Sequence, residues 1–280
     1  MMGVWNLVLG RVLLPFLLIF ALGITATLPG QEFADIAAIK ARGKLVVGLT
    51  ANDNVPFFSL NRQGKLEGTD IELAEEIADI LGVEVEFVRT AKSFDDLISQ
   101  VSRGEVDLAT SKISRTPART MLVEFSKPYV KLRHALLFSR LRLARDESDP
   151  SLENYVRHFH GDLAVIANSA YEYYAHEYFP EAHIVPMNSW AEMVDAVRKG
   201  EVTAAYRDEF EVRRVIAAIP DAVLSMRAVI LSDLHSELVV AINPATPHMK
   251  ALVDAVIDAK PEPLTAETLL VRAEGEKNAH

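Results

Sequence analysis

Ser93-Phe-Asp-Asp-Leu-Ile-Ser-Gln-Val-Ser-Arg-Gly-Glu-Val-Asp-Leu-Ala109 and Ser189-Trp-Ala-Glu-Met-Val-Asp-Ala-Val-Arg-Lys-Gly-Glu-Val-Thr-Ala-Ala205 carry one pattern twice, 96 residues apart. The leading serine, both valines, the glycine, the glutamate and the last alanine are identical. In each copy a serine with an acid three positions on (Asp96, Glu192) forms a capping-box-like helix start. Apolar positions at helical spacing follow: Phe94, Leu97, Ile98 and Val101 in the first copy, and Trp190, Met193, Val194 and Val197 in the second. Gly104 and Gly200 stop the helices, and a short apolar strand comes next. The repeat is too long for a solenoid period and occurs only twice. It reads as two lobes of similar construction.

The same grammar extends outward from both copies. Leu45–Leu49 is a short apolar run of the kind a buried strand needs. Asp70 reads as the cap of a helix with a stripe of Ile71, Ala74, Ile77, Ala78 and Leu81, stopped by Gly82. Val83–Val88 alternates as a strand, and Thr116-Pro117 opens another helix, the cap first and proline at the first helical position. In the second half, Leu163–Ala167 and His183–Val185 read as strands around a helix over Ala170–Phe179, and Val202–Tyr206 as the strand before a helix capped by Asp208. Strands alternating with helices predict an α/β fold with mainly parallel sheets.

Composition narrows the function. The chain has 280 residues, enough for one large or two mid-sized units with real cores, and a formal net charge of −10. That balance disfavours nucleic acid and anionic membrane surfaces, which need a basic footprint, and leaves room for a locally cationic pocket. There is no cysteine, so disulfides, thiolate metal sites and cysteine nucleophiles are excluded. Residues 1–28 read as a secretory signal peptide or N-terminal anchor: Arg11 is the one charged side chain, and Val12–Leu22 is an apolar core short of the ~20 residues of a span. Either reading places the rest of the chain in the periplasm or otherwise outside the cytoplasm.

Ligands of open α/β sheets bind beyond the carboxyl ends of the strands. After Ala109 comes Thr110-Ser111-Lys112-Ile113-Ser114-Arg115-Thr116-Pro117-Ala118-Arg119, rich in hydroxyls and cations; after Ala205 comes Tyr206-Arg207-Asp208-Glu209. Facing each other, such loops bracket a zwitterion, with Arg119 for a carboxylate and Asp208 for an ammonium. A guanidinium clamps a carboxylate through two coplanar bonds. The residue pattern equally accommodates Arg119 as a solvated surface arginine, Asp208 as an N-cap and nothing more, and Ser114 and Thr116 as turn and cap residues.

Gly43–Gly48, Pro56-Phe57, Gly64–Gly68, Asp70–Ala74, Asp107-Leu108, Thr116–Arg119 and Phe125–Tyr129 together, in this order, resemble the family 3 extracellular solute-binding proteins, the amino-acid receptors of bacterial ABC importers. The resemblance spans about Gly43–Ile257. It implies a two-lobed periplasmic-binding-protein fold of type II with the ligand cleft between lobes. Lobe one would comprise 42–134 plus 232–272 and lobe two 138–230, with hinge crossings near Leu136–Ser139 and Arg227–Leu231 and a flexible polar tail over 273–280. It places the carboxylate-binding arginine at Arg119, the ammonium-binding aspartate at Asp208, lobe-one contacts at Lys112 and Ser114, and a backbone-donating loop at Asn168-Ser169-Ala170. Phe57 or Phe58 would form a wall. Departures from the pattern are Asn54 where an aromatic stacks on the ligand, Thr69 for a second aromatic, Asn168 for a glycine, and Lys112 for a small or hydroxyl residue. Lys112 is expected to point to solvent or to meet a second acid on the ligand.

The implied function is capture of an amino acid or related carboxylate by lobe closure and delivery to a membrane permease, with no cofactor, no metal and no nucleic-acid partner. The alternatives are a dehydratase-like enzyme on the same scaffold acting on a prephenate-like acid, with Glu172, Glu209 and His134 as candidate acids or bases, and an anchored ligand sensor.

Overall fold

The computed structural model describes residues 32–145 and 152–279; residues 1–28, expected from the sequence to be a signal peptide or anchor, lie outside them. The first lobe opens with α1 (Ala34–Arg42), β1 (Lys44–Thr50) and the small hairpin β2 (Ser59–Leu60) and β3 (Leu66–Glu67). It continues with α2 (Thr69–Leu81), β4 (Glu84–Ala91), α3 (Phe94–Ser102), β5 (Leu108–Ala109), α4 (Pro117–Thr120) and β6 (Glu124–Phe125). The long strand β7 (Val130–Ser139) leads into the second lobe, built from α5 (Arg140–Leu143), α6 (Leu152–Arg157), β8 (Asp162–Ile166), α7 (Ala170–Tyr178), β9 (His183–Met187), α8 (Trp190–Lys199), β10 (Ala204–Asp208), α9 (Glu209–Ala218) and α10 (Ala222–Ser225). Strand β11 (Met226–Leu238) returns to the first lobe, which closes with β12 (Ala241–Ile242), α11 (Pro247–Asp258) and α12 (Ala266–Ala279).

Each lobe has a five-stranded sheet: β4-β1-β5-β12-β6 in the first, and β9-β8-β10-β7-β11 in the second. In each sheet four strands run the same way and the fourth in order, β12 or β7, runs against them. The two orders superpose one on the other. The repeated segment forms α3–β5 in one lobe and α8–β10 in the other, so the sequence duplication is a duplication of half-sheets. Both helix starts are capped as the pattern requires: Ser93 Oγ accepts from Asp96 N at 3.1 Å and Ser189 Oγ from Glu192 N at 3.2 Å. The acids reach back to the backbone N–H of Lys92 and Asn188.

Helices cover both faces of each sheet with buried apolar side chains. Leu45, Val47 and Leu49 of β1 pack with Ile77 and Leu81 of α2, and Leu97, Ile98 and Val101 of α3 with Val106 and Ala109. In the second lobe Met193 and Val197 of α8 pack with Ala164 and Ala205, while Tyr171, Phe179 and Tyr206 fill the opposite face with Phe138. Each buried Val, Leu, Ile, Phe or Met among them contributes about 1.5–3 kcal/mol.

Several expectations are corrected. Asp70 is not a cap: Gly68 holds that position and Asp70 lies inside the first turn of α2, fully buried. The segment after Val271 continues α12 as helix through Ala279, anchored upstream by buried Ala266 and Leu269 and by an Arg272–Glu72 ion pair at 2.7 Å. The expected hinge segments lie within the second sheet, where Leu136 pairs with both Tyr206 and Val229. The β7–β11 ladder instead breaks between Leu231 and His235, and the ribbon Val130–Arg133 with His235–Leu238 leads toward the first lobe. Among the described residues, no helix is long and apolar enough to cross a membrane.

Candidate functional site

The central strands β5 and β10 end at the same place between the lobes, and the loops that follow them meet there. Lys112, three residues past β5, has a left-handed backbone (φ 50°) fixed by a bond from its N–H to Asp70 Oδ2 at 2.8 Å. This turn sends its side chain across the cleft rather than to solvent. Its Nζ lies 2.9 Å from Glu211 Oε1 and 3.0 Å from Asp208 Oδ2, both on the second lobe. It also sits 4.8 Å above the ring of Phe57 and 5.3 Å from that of Phe210, a cation held against two aromatic faces. Only 2 % of the Lys112 side chain is exposed. The expectation of a solvated lysine is therefore overturned.

The acids around it are tied down in turn. Asp208 caps α9 through Oδ1, which accepts from Glu211 N at 3.0 Å. Its Oδ2 faces Lys112 and, at 3.6 Å, Arg207 Nε. Glu211 also accepts from Arg214 at 2.6 Å. Burial pushes the Glu211 carboxyl up, but the cations of Lys112, Arg214 and Arg207 outweigh it and hold the group well below the usual range. Asp70 behaves oppositely: burial raises its carboxyl to about 8, against the hydrogen bonds from Tyr129 Oη (2.6 Å) and Lys112 N.

Arg119 is buried, in the first turn of α4 whose cap Thr116 accepts from Arg119 N. Its guanidinium contacts Asp95 Oδ1 through Nε at 2.8 Å and Nη2 at 2.7 Å, and Nη1 donates to Ser114 O at 3.0 Å. Across the cleft stands Arg207, at the end of β10. It is buried over the ring of Tyr171 (5.3 Å), and its Nε has no hydrogen-bond partner. Sequence reasoning did not single out Arg207. Its signal was position alone, one residue before Asp208 at the carboxyl end of the repeated strand.

A partly open cavity of about 10 Å³ lies here, lined by Phe94, Lys112, Ser114, Arg119, Ser169, Ala170, Tyr171 and Arg207. Ser169 caps α7 and its Oγ donates to Ile166 O, so the α7 N-terminus opens onto the cavity. Ser114 Oγ bonds Ser236 Oγ at 2.8 Å. The structure thus brings Arg119, Ser114, Lys112 and Ser169 together. Asp208 stands behind Lys112, and Phe57, packed edge-on against Phe210, stands beneath it. Asn168 and Asn54 do not line the cavity. Asn168 is exposed and takes the left-handed conformation (φ 55°) that a glycine would supply, with its N–H bound to Glu172. Asn54 is engaged in a backbone bridge to Phe58.

The candidate acids and bases of the enzyme reading lie elsewhere. Glu209 is held by Arg133 at 2.6 Å and Arg213 at 3.2 Å, and Glu172 accepts from Asn168 N. His134 is buried beside Tyr206, its ring nitrogen bonded to the phenol, and burial lowers its pKa to about 4. Among the described residues, no group of three or more His, Asp or Glu is placed to hold a metal ion.

Comparison with known proteins places this geometry. Residues 45–258 match the model of the bacterial extracellular solute-binding proteins, family 3. The chain is 28 % identical over 207 residues to a membrane-bound lytic murein transglycosylase F of Idiomarina loihiensis, covering 70 % of this chain and 42 % of that protein. It is 26 % identical to the ABC transporter glutamine-binding protein GlnH of Bacillus subtilis, covering 62 % of this chain and 61 % of that protein. The chain thus spans less than two thirds of the length of these curated relatives. Among solved structures, it is similar to the ancestral amino acid-binding protein AncCDT-1, a precursor of cyclohexadienyl dehydratase, with 27 % identity, TM-score 0.65, and 86 % of this chain and 97 % of that one covered. A Streptococcus pneumoniae amino acid ABC transporter substrate-binding protein bound to L-arginine aligns with 26 % identity, TM-score 0.66, and 88 % and 98 % covered. Duplicated half-sheets, a cleft at their strand ends and a match over most of the length agree: the chain belongs to the bacterial extracellular solute-binding proteins of family 3.

Proposed function

We propose that this chain is an extracytoplasmic receptor that captures a small carboxylate-bearing solute of the amino-acid class or its relatives between its lobes, leaves it chemically unchanged, and presents it to an ABC-type membrane importer. The observation that carries this reading is the cavity itself: Arg119 from one lobe and Arg207 from the other face the same space, with the α7 N-terminus beside them. Two buried guanidiniums and a helix start form an anion site by charge and by donor geometry. Contacts that the solute makes with both lobes favour the closed state further, beyond the ion pairs that already join the lobes, and that difference in affinity drives capture. The similar glutamine-binding protein and the similar substrate-binding protein bound to L-arginine support a solute of this class. The ribbon around Arg133 and His235 would act as the hinge, and the N-terminal segment would export or anchor the chain to the periplasmic side.

The test is thermal melting of residues 29–280 against a panel of amino acids, dicarboxylates, opine-like compounds and prephenate, with Arg119→Ala beside the native chain. A solute at 100 times its Kd stabilises by about 2.7 kcal/mol. A shift from a solute recovered unchanged, absent in Arg119→Ala, is the expected outcome. Consumption of a compound would make the chain an enzyme, and no shift with any member would refute the receptor reading.

A further inference from the structure

From the charges that line the cavity, and resting on the receptor reading above, we infer that the solute is a carboxylic acid without an α-amino group, because Lys112 supplies the ammonium from within the protein. The lining contains three cations, Lys112, Arg119 and Arg207, and no carboxylate. The acids that touch these cations are each paired: Asp208 and Glu211 with Lys112 Nζ, at 3.0 and 2.9 Å, and Asp95 with Arg119 at 2.7 Å. Arg214 takes the second oxygen of Glu211. An incoming ammonium would meet three cations, and the one acid oxygen there without a hydrogen bond, Asp208 Oδ2, already faces the Lys112 ammonium at 3.0 Å, so its desolvation would be poorly compensated. A carboxylate meets the opposite: the Nε of buried Arg207 has no hydrogen-bond partner, Asp208 Oδ2 standing 3.6 Å off, and the α7 N-terminus lies beside it. The cavity of about 10 Å³ holds roughly one water-sized sphere, so an acid is admitted only as the lobes part.

Matched pairs that differ only in the amino group separate this inference from the receptor reading: L-alanine and propionate, L-glutamate and glutarate, L-phenylalanine and 3-phenylpropionate. Calorimetric titration of native 29–280 is expected to favour the des-amino member of the bound pair by about tenfold or more. In Lys112→Ser the order is expected to invert, because a solute ammonium then fills the space opposite Asp208 and Glu211. Equal or tighter binding of the amino acid by the native chain overturns the inference and leaves the receptor standing. No binding of any member by the native chain or by Lys112→Ser overturns both. Should Lys112→Ser fail to fold, the native pairs still decide. Arg207→Gln adds an independent reading: its affinity for the acid is expected to fall about tenfold or more, and unchanged affinity overturns the assignment of this cavity as the acid site.

Discussion

Asp70 and Lys112 are neighbours in the fold with opposite demands. The Asp70 carboxyl is fully buried and raised to about 8, so the folded chain keeps it protonated at neutral pH, whereas an unfolded aspartate ionises near ~3.9. The stability this group contributes is therefore complete below about pH 4 and is lost as pH rises through 8. Asp70→Asn mimics the protonated acid: the amide oxygen accepts from Lys112 N and the amide nitrogen donates to Tyr129 Oη. Denaturant melts between pH 4 and 8 are expected to show the variant gaining on the native chain as pH rises, by an amount on the order of a few kcal/mol. The comparison must be a difference, because Glu211 and His134 pull the other way. Glu211 is held low and His134 is lowered to about 4, so both contribute stability that is lost on acidification. A constant gap between the two proteins over this range would mean that Asp70 is ionised in the folded chain. None of this was legible in the sequence. Asp70 follows Gly68-Thr69 before an apolar stripe, and a cap and a buried first-turn acid look identical until Tyr129 and the Lys112 N–H arrive from other elements.

Elements whose signals are local were readable, and elements defined by partners were not. The helices α3 and α8 are written in their caps and stops, and Ser189→Ala is expected to cost about 1 kcal/mol in a chemical melt, the usual value of such a cap. The strands β7 and β11 carry apolar runs, but their register and the break at Leu231/His235 depend on each other and on β10, so the sequence alone did not locate the break. Gly68 joins local and distant structure. Its φ of 124° is glycine territory, and a Cβ there would lie 2.4 Å from Phe57 O. The start of α2 reads the same loop, with Thr69 N bound to Pro56 O and Asp70 N to Phe57 O. Gly68→Ala is therefore expected to displace the loop that carries Phe57 under Lys112, weakening ligand affinity as well as lowering the melting temperature. Loss of stability with native affinity would separate the loop from the site.

At the scale of the whole molecule, the duplicated half-sheets put two strand ends against each other, and this much the repeat foretold. The place of Arg119 at the cavity was legible, but that of Lys112 was not, because the backbone turn that aims Lys112 across the cleft is set by Asp70, forty-two residues away in sequence. The lobes are tied by Lys112 to Asp208 and Glu211, by Tyr174 Oη to Arg115 O at 2.6 Å, and by Arg213 to Glu267 at 3.2 Å. Of these, the Lys112 contacts are the deeply buried ones. Removing one partner of a buried ion pair usually costs about 3–5 kcal/mol, because the remaining charge is stranded. Here the stranded acids would belong to one lobe and the missing cation to the other, so opening the cleft returns both carboxylates to water. Lys112→Ala is thus expected to change shape more than stability. Small-angle scattering without solute should give a larger radius of gyration than the native chain, with a melting temperature that falls by much less than a stranded buried charge would require. Adding Asp208→Asn and Glu211→Gln to Lys112→Ala removes the repulsion along with the attraction, and should bring the radius back toward the native value; the non-additivity of the three changes measures the latch. An unchanged radius in Lys112→Ala, accompanied by the full loss of stability, would mean that the lobes are held closed by packing and that Lys112 serves the solute alone.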